Sequence, residues 1–284
     1  MPEKPQIAFC FLLYDKVEHK KIWETFFSQD TRNSHTNYTH NIYSHVKKVT
    51  DQTPTWIKKN QVKTIKTEWC EENLVYAWIK MLKKAFENKN NKYFVLLSGE
   101  CIPLFTYPET YKMITSSKKS RVNIDIYATL LASKRTNFIS LYNADQWVIL
   151  NRKCAKILMN LKYSKKGRLW VKEARKLLYR DKNDHVSNKN DHELAYVLCP
   201  DEIFPVNWLV YNLGAPSSNS YKKEIRDIPS TYTFWDPESN APHPVKFNLK
   251  KLSYYKKKIC ESNAIFGRKF YKLPAKKLAL SCGK

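Results

Sequence analysis

The turn Ser98-Gly99-Glu100 is where residue types suited to chemistry directly follow a predicted strand. Residues 93–97 are apolar and aromatic, and the run is too short for a helix, so it predicts a buried strand. Pro103 has no backbone N–H to donate, so we expect strand pairing to stop before it. Open α/β sheets form ligand sites where the carboxyl ends of strands present small and polar residues. The turn is therefore a candidate site offering one carboxylate, although an ordinary strand-ending turn has the same pattern.

Four further clusters carry residue types suited to binding or proton transfer. They are Trp69-Cys70, Asp145-Gln146-Trp147, Cys199-Pro200-Asp201-Glu202 and the segment 265–270, which contains Arg268 and Lys269. Each also has an ordinary structural interpretation. Glu202 after Pro200 can be a surface carboxylate or a helix-start residue, and Trp147 can be a core aromatic. The residues alone leave these alternatives open.

Several familiar catalytic signatures are missing from the sequence. It has no Walker loop, no G-x-G-x-x-G, no G-x-S-x-G and no H-E-x-x-H. It also lacks a D-x-D triplet, the acidic pair that commonly holds a metal against a sugar nucleotide, and no Cys/His group has zinc spacing. We therefore expect neither a metal centre nor a cofactor.

Apolar runs and helically periodic segments alternate along the chain. The predicted strands are residues 7–14, 41–46, 93–97, 122–127 and 147–150, and the predicted helices are residues 17–27, 71–88, 153–161 and 167–180. Residues 200–214 mix turn signals with an apolar VNWLVY segment. The alternation favours an α/β fold with a central mixed sheet flanked by helices. No composition break divides the 284 residues, so we expect one domain whose segment from about residue 220 is irregular.

A net charge of +24 is the strongest signal in the composition. It indicates a polyanionic partner such as nucleic acid, an acidic surface or a phosphate-bearing substrate. The basic residues are spread thinly, so a Lys- and Asn-rich composition, as in some microbes and large DNA viruses, is an equally open explanation. A nucleic-acid- or polyanion-binding protein without catalysis is accordingly the alternative function.

The seven cysteines are widely spaced and include no C-x-x-C motif, which predicts reduced, buried thiols in an intracellular protein. The first apolar run, residues 7–13, is too short to span a membrane and lacks a signal-peptide pattern. We expect no membrane span and a cytoplasmic location.

Taken in order, the clusters resemble the core-2/I-branching N-acetylglucosaminyltransferase family, which also contains peptide xylosyltransferases and plant glucuronosyltransferases. The similarity rests on the Trp69-Cys70 pair, on LSGECIPL around Glu100, on Q-W-x-x-L-x-R from Gln146, on P-D-E at residues 200–202, on Trp235 with His243-Pro244, and on F-G-R-K-F at residues 266–270. It extends from the first strand to about Lys272.

The resemblance implies a GT-A-like glycosyltransferase fold forming a single catalytic domain, with the segment from about residue 220 closing the donor site. It implies inverting, metal-independent transfer from a UDP-sugar, above all UDP-N-acetylglucosamine, to a hydroxyl group of a glycan or glycoprotein. A relative that binds glycans or anionic polymers without catalysis is a third possibility. The oligomeric state cannot be inferred from these residues.

The resemblance also implies roles for individual residues. Glu202 matches the catalytic base, and Arg268 and Lys269 match the basic pair that contacts the donor diphosphate. The remaining expected substrate-binding residues are Gln146 and Trp147 near the sugar, Glu100 in the turn, and Asp201 beside the base.

The chain departs from the family pattern in three places. Relatives have H-V-D after the second strand where this chain has His45-Val46-Lys47, W-G where it has Trp69-Cys70, and alanine where it has Gly267. Golgi-resident relatives also carry a membrane anchor and a disulfide framework, and neither is predicted here.

Overall fold

The computed structural model describes residues 4–29, 39–125, 141–178, 199–235, 244–246 and 249–270. Its strands are β1 Gln6–Leu13, β2 His40–Val46, β3 Asn91–Ser98, β4 Ile102–Pro103, β5 Ser120–Arg121, β6 Ile124–Asp125, β7 Asn143–Ala144, β8 Ile149–Asn151, β9 Ile225–Arg226, β10 Thr231–Thr233 and β11 Phe266–Arg268. Its helices are α1 Lys20–Ser28, α2 Thr55–Lys58, α3 Glu72–Glu87, α4 Tyr107–Thr115, α5 Arg152–Tyr163, α6 Lys165–Leu178, α7 Pro200–Leu213, α8 Asn219–Glu224 and α9 Leu249–Glu261.

A mixed sheet in the order β2-β1-β3-β8-β5-β9 forms the centre of the fold. Strands β2, β1 and β3 run parallel, and β8 runs antiparallel to β3. Residues of β1 alternate between two hydrophobic cores: Ala8 and Cys10 belong to one, and Phe9 and Phe11 to the other. Helices cover both faces, which is why β1 and β3 are almost continuously apolar. The predicted α/β class with a central mixed sheet flanked by helices is confirmed.

The strongest periodic signals in the sequence match the observed elements most closely. The predicted helix 71–88 is α3, whose inner face buries Val75, Trp78 and Leu82 at three- and four-residue spacing. The predicted strand 122–127 is wrong as one element, because β5 ends at Arg121 and β6 begins at Ile124. Between them the backbone N–H of Val122 donates to the carbonyl of Arg226, at 3.2 Å. Residues 126 and 127 and the end of the predicted helix 167–180 lie outside the described residues.

The segment 200–214, with its mixed signals, is helical up to Leu213, and the segment predicted to be irregular from about residue 220 is partly helical. Residues 200–213 form α7, and Pro200 lies in its first turn. Backbone N–H groups in the first turn have no partner within the helix, so the N–H that proline lacks is not needed there. Beyond residue 220 the structure has α8, the short strands β9 to β11, and α9. Tyr255 of α9 packs against Phe234 with ring centroids 4.6 Å apart, a tertiary contact that local sequence does not reveal.

A small sheet in the order β10-β11-β4 joins the turn after β3 to the carboxyl-terminal part of the chain. Phe266 pairs with Pro103 and Gly267 with Ile102 in antiparallel register. The expectation that Pro103 prevents pairing is therefore wrong, because β4 is an edge strand and its proline does not have to donate on the open side. This sheet holds the end of β11 beside the turn that contains Glu100.

The cysteines also differ from the prediction. Cys70 and Cys199 form a disulfide whose Cα atoms are 4.6 Å apart, and Cys260 is disulfide-bonded too. Cys10, Cys101 and Cys154 are free and buried, as predicted. Because Cys70 and Cys199 are 129 residues apart, only the tertiary fold shows that they meet. The bond ties the start of α3 to the start of α7.

The described helices are all too short or too polar to cross a lipid bilayer.

We predict that the Cys70–Cys199 disulfide is present in the purified protein and that Cys70→Ser lowers the free energy of unfolding by about 2–5 kcal/mol. The bond closes a long loop, so its loss leaves the unfolded chain less constrained. Peptide mapping without reductant checks the linkage, and denaturant titration checks the stability. Alkylation of both Cys70 and Cys199 in the unreduced, unfolded protein would contradict the assignment.

Candidate active site

An ion-paired cluster lies where the turn after β3 meets the end of β11. Glu100 Oε2 is 3.1 Å from Lys269 Nζ and 3.5 Å from Arg268 Nη2. Both cationic side chains are mostly buried, with exposures of 15% for Arg268 and 14% for Lys269. The fold thus brings Glu100 to the adjacent residues Arg268 and Lys269, which follow it by more than 160 positions in the sequence.

The turn that carries Glu100 is fixed by its own backbone. Ser98 Oγ accepts a hydrogen bond from the N–H of Glu100 at 3.3 Å, and the carbonyl of Gly99 accepts one from Glu18 at 2.9 Å. A Cβ on Gly99 would collide with the carbonyl oxygen of Lys16, so a residue with a side chain does not fit there without backbone movement. The small residue in the turn is therefore a packing requirement.

Gly267 shows a similar constraint on β11. A Cβ at this position would lie 2.9 Å from the Phe270 ring and 3.0 Å from a methyl group of Leu104. The alanine that relatives carry at this place would force these side chains apart. The departure from the family pattern thus has a local packing reason, and it leaves the pairing of β11 with β4 intact.

Trp147 supports the cationic side of the site. Its ring centroid lies 4.8 Å from the guanidinium carbon of Arg268, within the range of a cation–π contact. Trp147 is also 8% exposed and belongs to a hydrophobic core, so it is both a core aromatic and a neighbour of the cluster. Gln146 is half-buried and makes no hydrogen bond within the described structure.

A group of carboxylates lies near Arg268 of this cluster. Asp201 and Glu202 lie in the first turn of α7, and Asp145 follows β7. These three side chains line one pocket together with apolar residues that include Trp78 and Val148. Arg268 is close enough for its positive charge to oppose, in part, the rise in pKa that burial causes at both Asp145 and Asp201. Arg268 at the end of β11 therefore lies within electrostatic reach of this carboxylate group.

Burial dominates the electrostatics of these carboxylates. Burial, with the negative charges of Asp201 and Asp145, raises the pKa of Glu202 to about 7, while a hydrogen bond from Asn143 partly opposes the rise. Burial likewise raises the pKa values of Asp145 and Asp201 to about 6. The amino-terminal end of a helix favours negative charge, but here desolvation outweighs that effect.

Two buried polar atoms near these carboxylates have no hydrogen-bond partner among the described residues. They are Oδ1 of Asp201 and Nε of Arg268, and both are fully shielded. Buried polar groups are normally satisfied, so each of these two atoms has unused hydrogen-bonding capacity. The sequence cannot show this, because it depends on how the folded chain buries the two side chains.

Sequence reasoning missed three residues around the site. Asp145 belongs to a cluster that the sequence indicates, but the sequence assigns it no role. Asn143 is missed because its hydrogen bond to Glu202 depends on the fold. His19 lies behind the cluster, with Nε2 3.0 Å from the carbonyl oxygen of Phe270. Burial lowers the pKa of His19, partly opposed by that bond and by the charges of Glu18 and Glu100. Of these three residues, only Asp145 could be found from the sequence, because it directly precedes the Q-W-x-x-L-x-R match that begins at Gln146. His243, in the quoted W…H-P motif, lies outside the described residues.

Two comparisons with known proteins bear on this site. Residues 7–257 match the sequence model of a family described as core-2/I-branching enzyme. A rice (Oryza sativa subsp. japonica) protein described as glycosyltransferase BC10 is 24% identical over 164 residues, which cover 56% of this chain and 41% of the relative. The aligned part of the chain therefore corresponds to less than half of that relative's length. The resemblance inferred from the sequence is confirmed.

We predict that the raised carboxyl pKa values make the unliganded protein less stable as the pH rises from about 4.5 through 7. In this window the folded Glu202 holds a proton that the unfolded chain has released, so stability is lost with rising pH. Glu202→Gln should reduce this loss by at most about 3 kcal/mol, as measured by urea titrations across the pH range. Glu87→Gln, an exposed change on α3, is the matched control. An unchanged pH dependence in Glu202→Gln would contradict the burial argument.

Proposed function

The chain belongs to the core-2/I-branching enzyme family, and from this premise we propose that it is an inverting glycosyltransferase with a GT-A-like catalytic domain. The donor is a UDP-sugar, in the first place UDP-N-acetylglucosamine, and the acceptor is a hydroxyl group of a glycan or glycoprotein. The observation that carries the proposal is that Arg268, which together with Lys269 pairs with Glu100, also lies within electrostatic reach of the two carboxylates that share a pocket with Glu202.

In the proposed reaction, the acceptor oxygen attacks the anomeric carbon of the donor sugar. The bond between that carbon and the diphosphate oxygen breaks, and the electron pair leaves with UDP. The acceptor proton goes to the carboxylate of Glu202. Configuration at the anomeric carbon inverts because the attack takes place opposite the leaving group.

Glu202 suits the role of general base for two reasons. Its pKa of about 7 lies near neutral pH, where a base is both available and strong enough to accept a proton. Its position in the first turn of α7 is fixed, since Cys199 immediately before the helix is tied to Cys70 by the disulfide. The neighbouring Asp201 and Asp145 keep the proton affinity of Glu202 high.

Arg268 and Lys269 are proposed to stabilise the departing diphosphate. Glu100 is within ion-pair distance of both, so in the unliganded protein one carboxylate is shared between two cations. A diphosphate can take over part of these contacts, and Nε of Arg268 remains available as a further donor. Arg offers directional paired hydrogen bonds and Lys a compact charge, which together suit a phosphate group.

Metal independence is also part of the proposal. Among the residues that the structure describes, no three His, Cys, Asp or Glu side chains are grouped so that they could hold a metal ion. Glu100 and Cys101, the polar pair in the turn after β3, are poorly suited to a hard divalent cation. Fixed protein cations then take the role that a metal has in other sugar-nucleotide enzymes.

The domain and location follow from the same elements. Residues 1–284 are proposed as one catalytic domain, since β10 and β11 from the last third form a sheet with β4, which follows the turn that carries Glu100. Gln146 and Trp147 are proposed to border the sugar. The Cys70–Cys199 disulfide favours an oxidising compartment, so the expected cytoplasmic location is not part of the proposal.

We predict that Glu202→Gln lowers the transfer rate by about 100-fold or more, because the base is lost while shape is kept. Nucleotide sugars are first ranked by thermal shift, and transfer from the best donor is then measured on a panel of glycan acceptors. UDP affinity should change little. Glu87→Gln is the control, and a fully active Glu202→Gln enzyme would remove Glu202 from the role of base.

We further predict that transfer continues in excess EDTA at an undiminished rate. The positive charge that stabilises UDP is supplied by Arg268 and Lys269, which a chelator does not remove. Initial rates with EDTA, and with added Mg²⁺ or Mn²⁺, are compared on the same preparation. Activity that disappears with EDTA and returns with a metal would overturn metal independence.

A further inference from the structure

A basic surface with exposed apolar side chains lies where α5, α6 and α7 pack against one another. Tyr163 at the end of α5, Leu169 in α6 and Tyr211 near the end of α7 are 42%, 54% and 51% exposed. We name the region around these three residues the α5–α7 surface. The proposed sugar transfer does not use it.

The charge of this surface is strongly one-sided. The segment 152–178 contains ten Lys or Arg residues and one acidic residue, Glu173. Lys165, Lys166, Arg168 and Lys172 are exposed and stand four, three and one positions before Leu169 and three after it. Lys165, Lys166 and Lys172 are therefore the basic neighbours of Leu169 on the outer face of the helix, and Glu173, four positions after Leu169, lies on the same face. In the described part of the chain, none of these four pairs with a carboxylate.

The packing beneath the surface holds it in place. Gly167 sits so close to the last turn of α5 that a Cβ would collide with the carbonyl oxygens of Asn160 and Leu161. On the inner side of α6, Trp170 packs against Phe204 and Trp208 of α7 with ring centroids 5.7 Å apart in each case. The basic residues are therefore presented by a fixed helix corner.

Lysine side chains also cover the aromatic residues of the surface. Lys166 Nζ lies 4.6 Å from the ring centroid of Tyr211, and Lys83 Nζ lies 4.5 Å from that of Tyr163. Lys162 is close to Lys80, and burial together with that like charge lowers the pKa of Lys162. Lys and Arg residues outnumber the acidic residues here, which are Glu173 and the Glu72 partner of Arg175, and this leaves a positive potential for an outside partner to neutralise.

We propose that the α5–α7 surface docks on the surface of an anionic lipid bilayer. Lys and Arg beside a membrane are attracted by acidic headgroups, and exposed Leu and Tyr side chains insert at the boundary of headgroups and acyl chains. A nucleic acid would instead be expected to stack on free aromatic faces, whereas lysine ammonium groups lie over Tyr163 and Tyr211. Leu169 on the basic face can insert among acyl chains, whereas a phosphate backbone offers it no apolar contact.

Such docking leaves the candidate active site open. Glu202 and Tyr211 lie nine residues apart on α7, which corresponds to about 14 Å along the helix axis. Tyr211 and the proposed catalytic carboxylate are thus at opposite ends of α7. The docking proposal stands on its own residues and does not depend on the proposed sugar transfer.

The test is sedimentation of the whole chain with vesicles of phosphatidylcholine alone and with added phosphatidylserine. We expect binding only to the anionic vesicles, weakening as salt is raised. The triple change K165E/K166E/R168E should lower the partition coefficient about tenfold or more, and Leu169→Ser several-fold. The control K256E/K257E/K258E makes the same charge change at exposed positions of α9 and should bind like the unmodified chain.

Three results would overturn the proposal. They are equal binding to neutral and anionic vesicles, equal losses in the two triple variants, and tight binding of single-stranded RNA with none to vesicles. Circular dichroism shows whether each variant is folded. If the α6 triple variant is not folded, Leu169→Ser decides the test, because a purely electrostatic polyanion site would leave its binding unchanged.

Discussion

The whole site depends on the sharing of one carboxylate, Glu100, by two mostly buried cations, Arg268 and Lys269. Removing charged groups from water is costly, and such groups persist in a fold only when partners compensate them. The pairing of β4 with β11 supplies the partner, because it holds the turn after β3 against the end of β11. Within ion-pair distance the described residues provide one negative charge for two positive ones. The remaining positive charge is what a diphosphate would neutralise.

The carboxylates near Arg268 have the reverse imbalance of charge. Asp145, Asp201 and Glu202 lie near one another at the start of α7 and after β7, and burial raises all three pKa values. The charge of Arg268 partly opposes the rise in the pKa values of Asp145 and Asp201. At Glu202 the rise comes first from burial and then from the charge of Asp201. Glu202 keeps the highest proton affinity of the three, which is the property a general base needs near neutral pH.

Local sequence predicted the parts of this arrangement that depend on periodicity. The strands β1 to β3 and the helix α3 follow from apolar runs and from three- and four-residue spacing. Residue matches to a family identified Glu202, Arg268, Lys269 and Glu100. The structure places Glu100 within ion-pair distance of Arg268 and Lys269, and it places Glu202 in a pocket with Asp145 and Asp201. Their chemical roles remain predictions. What local sequence missed depends on long-range contacts: the Cys70–Cys199 disulfide, α9, the pairing of Pro103 and the hydrogen bond from Asn143 to Glu202.

The central claim is that fixed protein cations bind the donor diphosphate, and calorimetric titration of UDP measures this most directly. The titration is made in EDTA with the unmodified chain, Arg268→Gln and Lys269→Gln. The account predicts binding by the unmodified chain and at least about tenfold weaker binding by each variant, since one charge-assisted contact contributes about 1.5–3 kcal/mol. Equal UDP affinity in all three proteins, or binding by the unmodified chain only after a divalent metal is added, would contradict it.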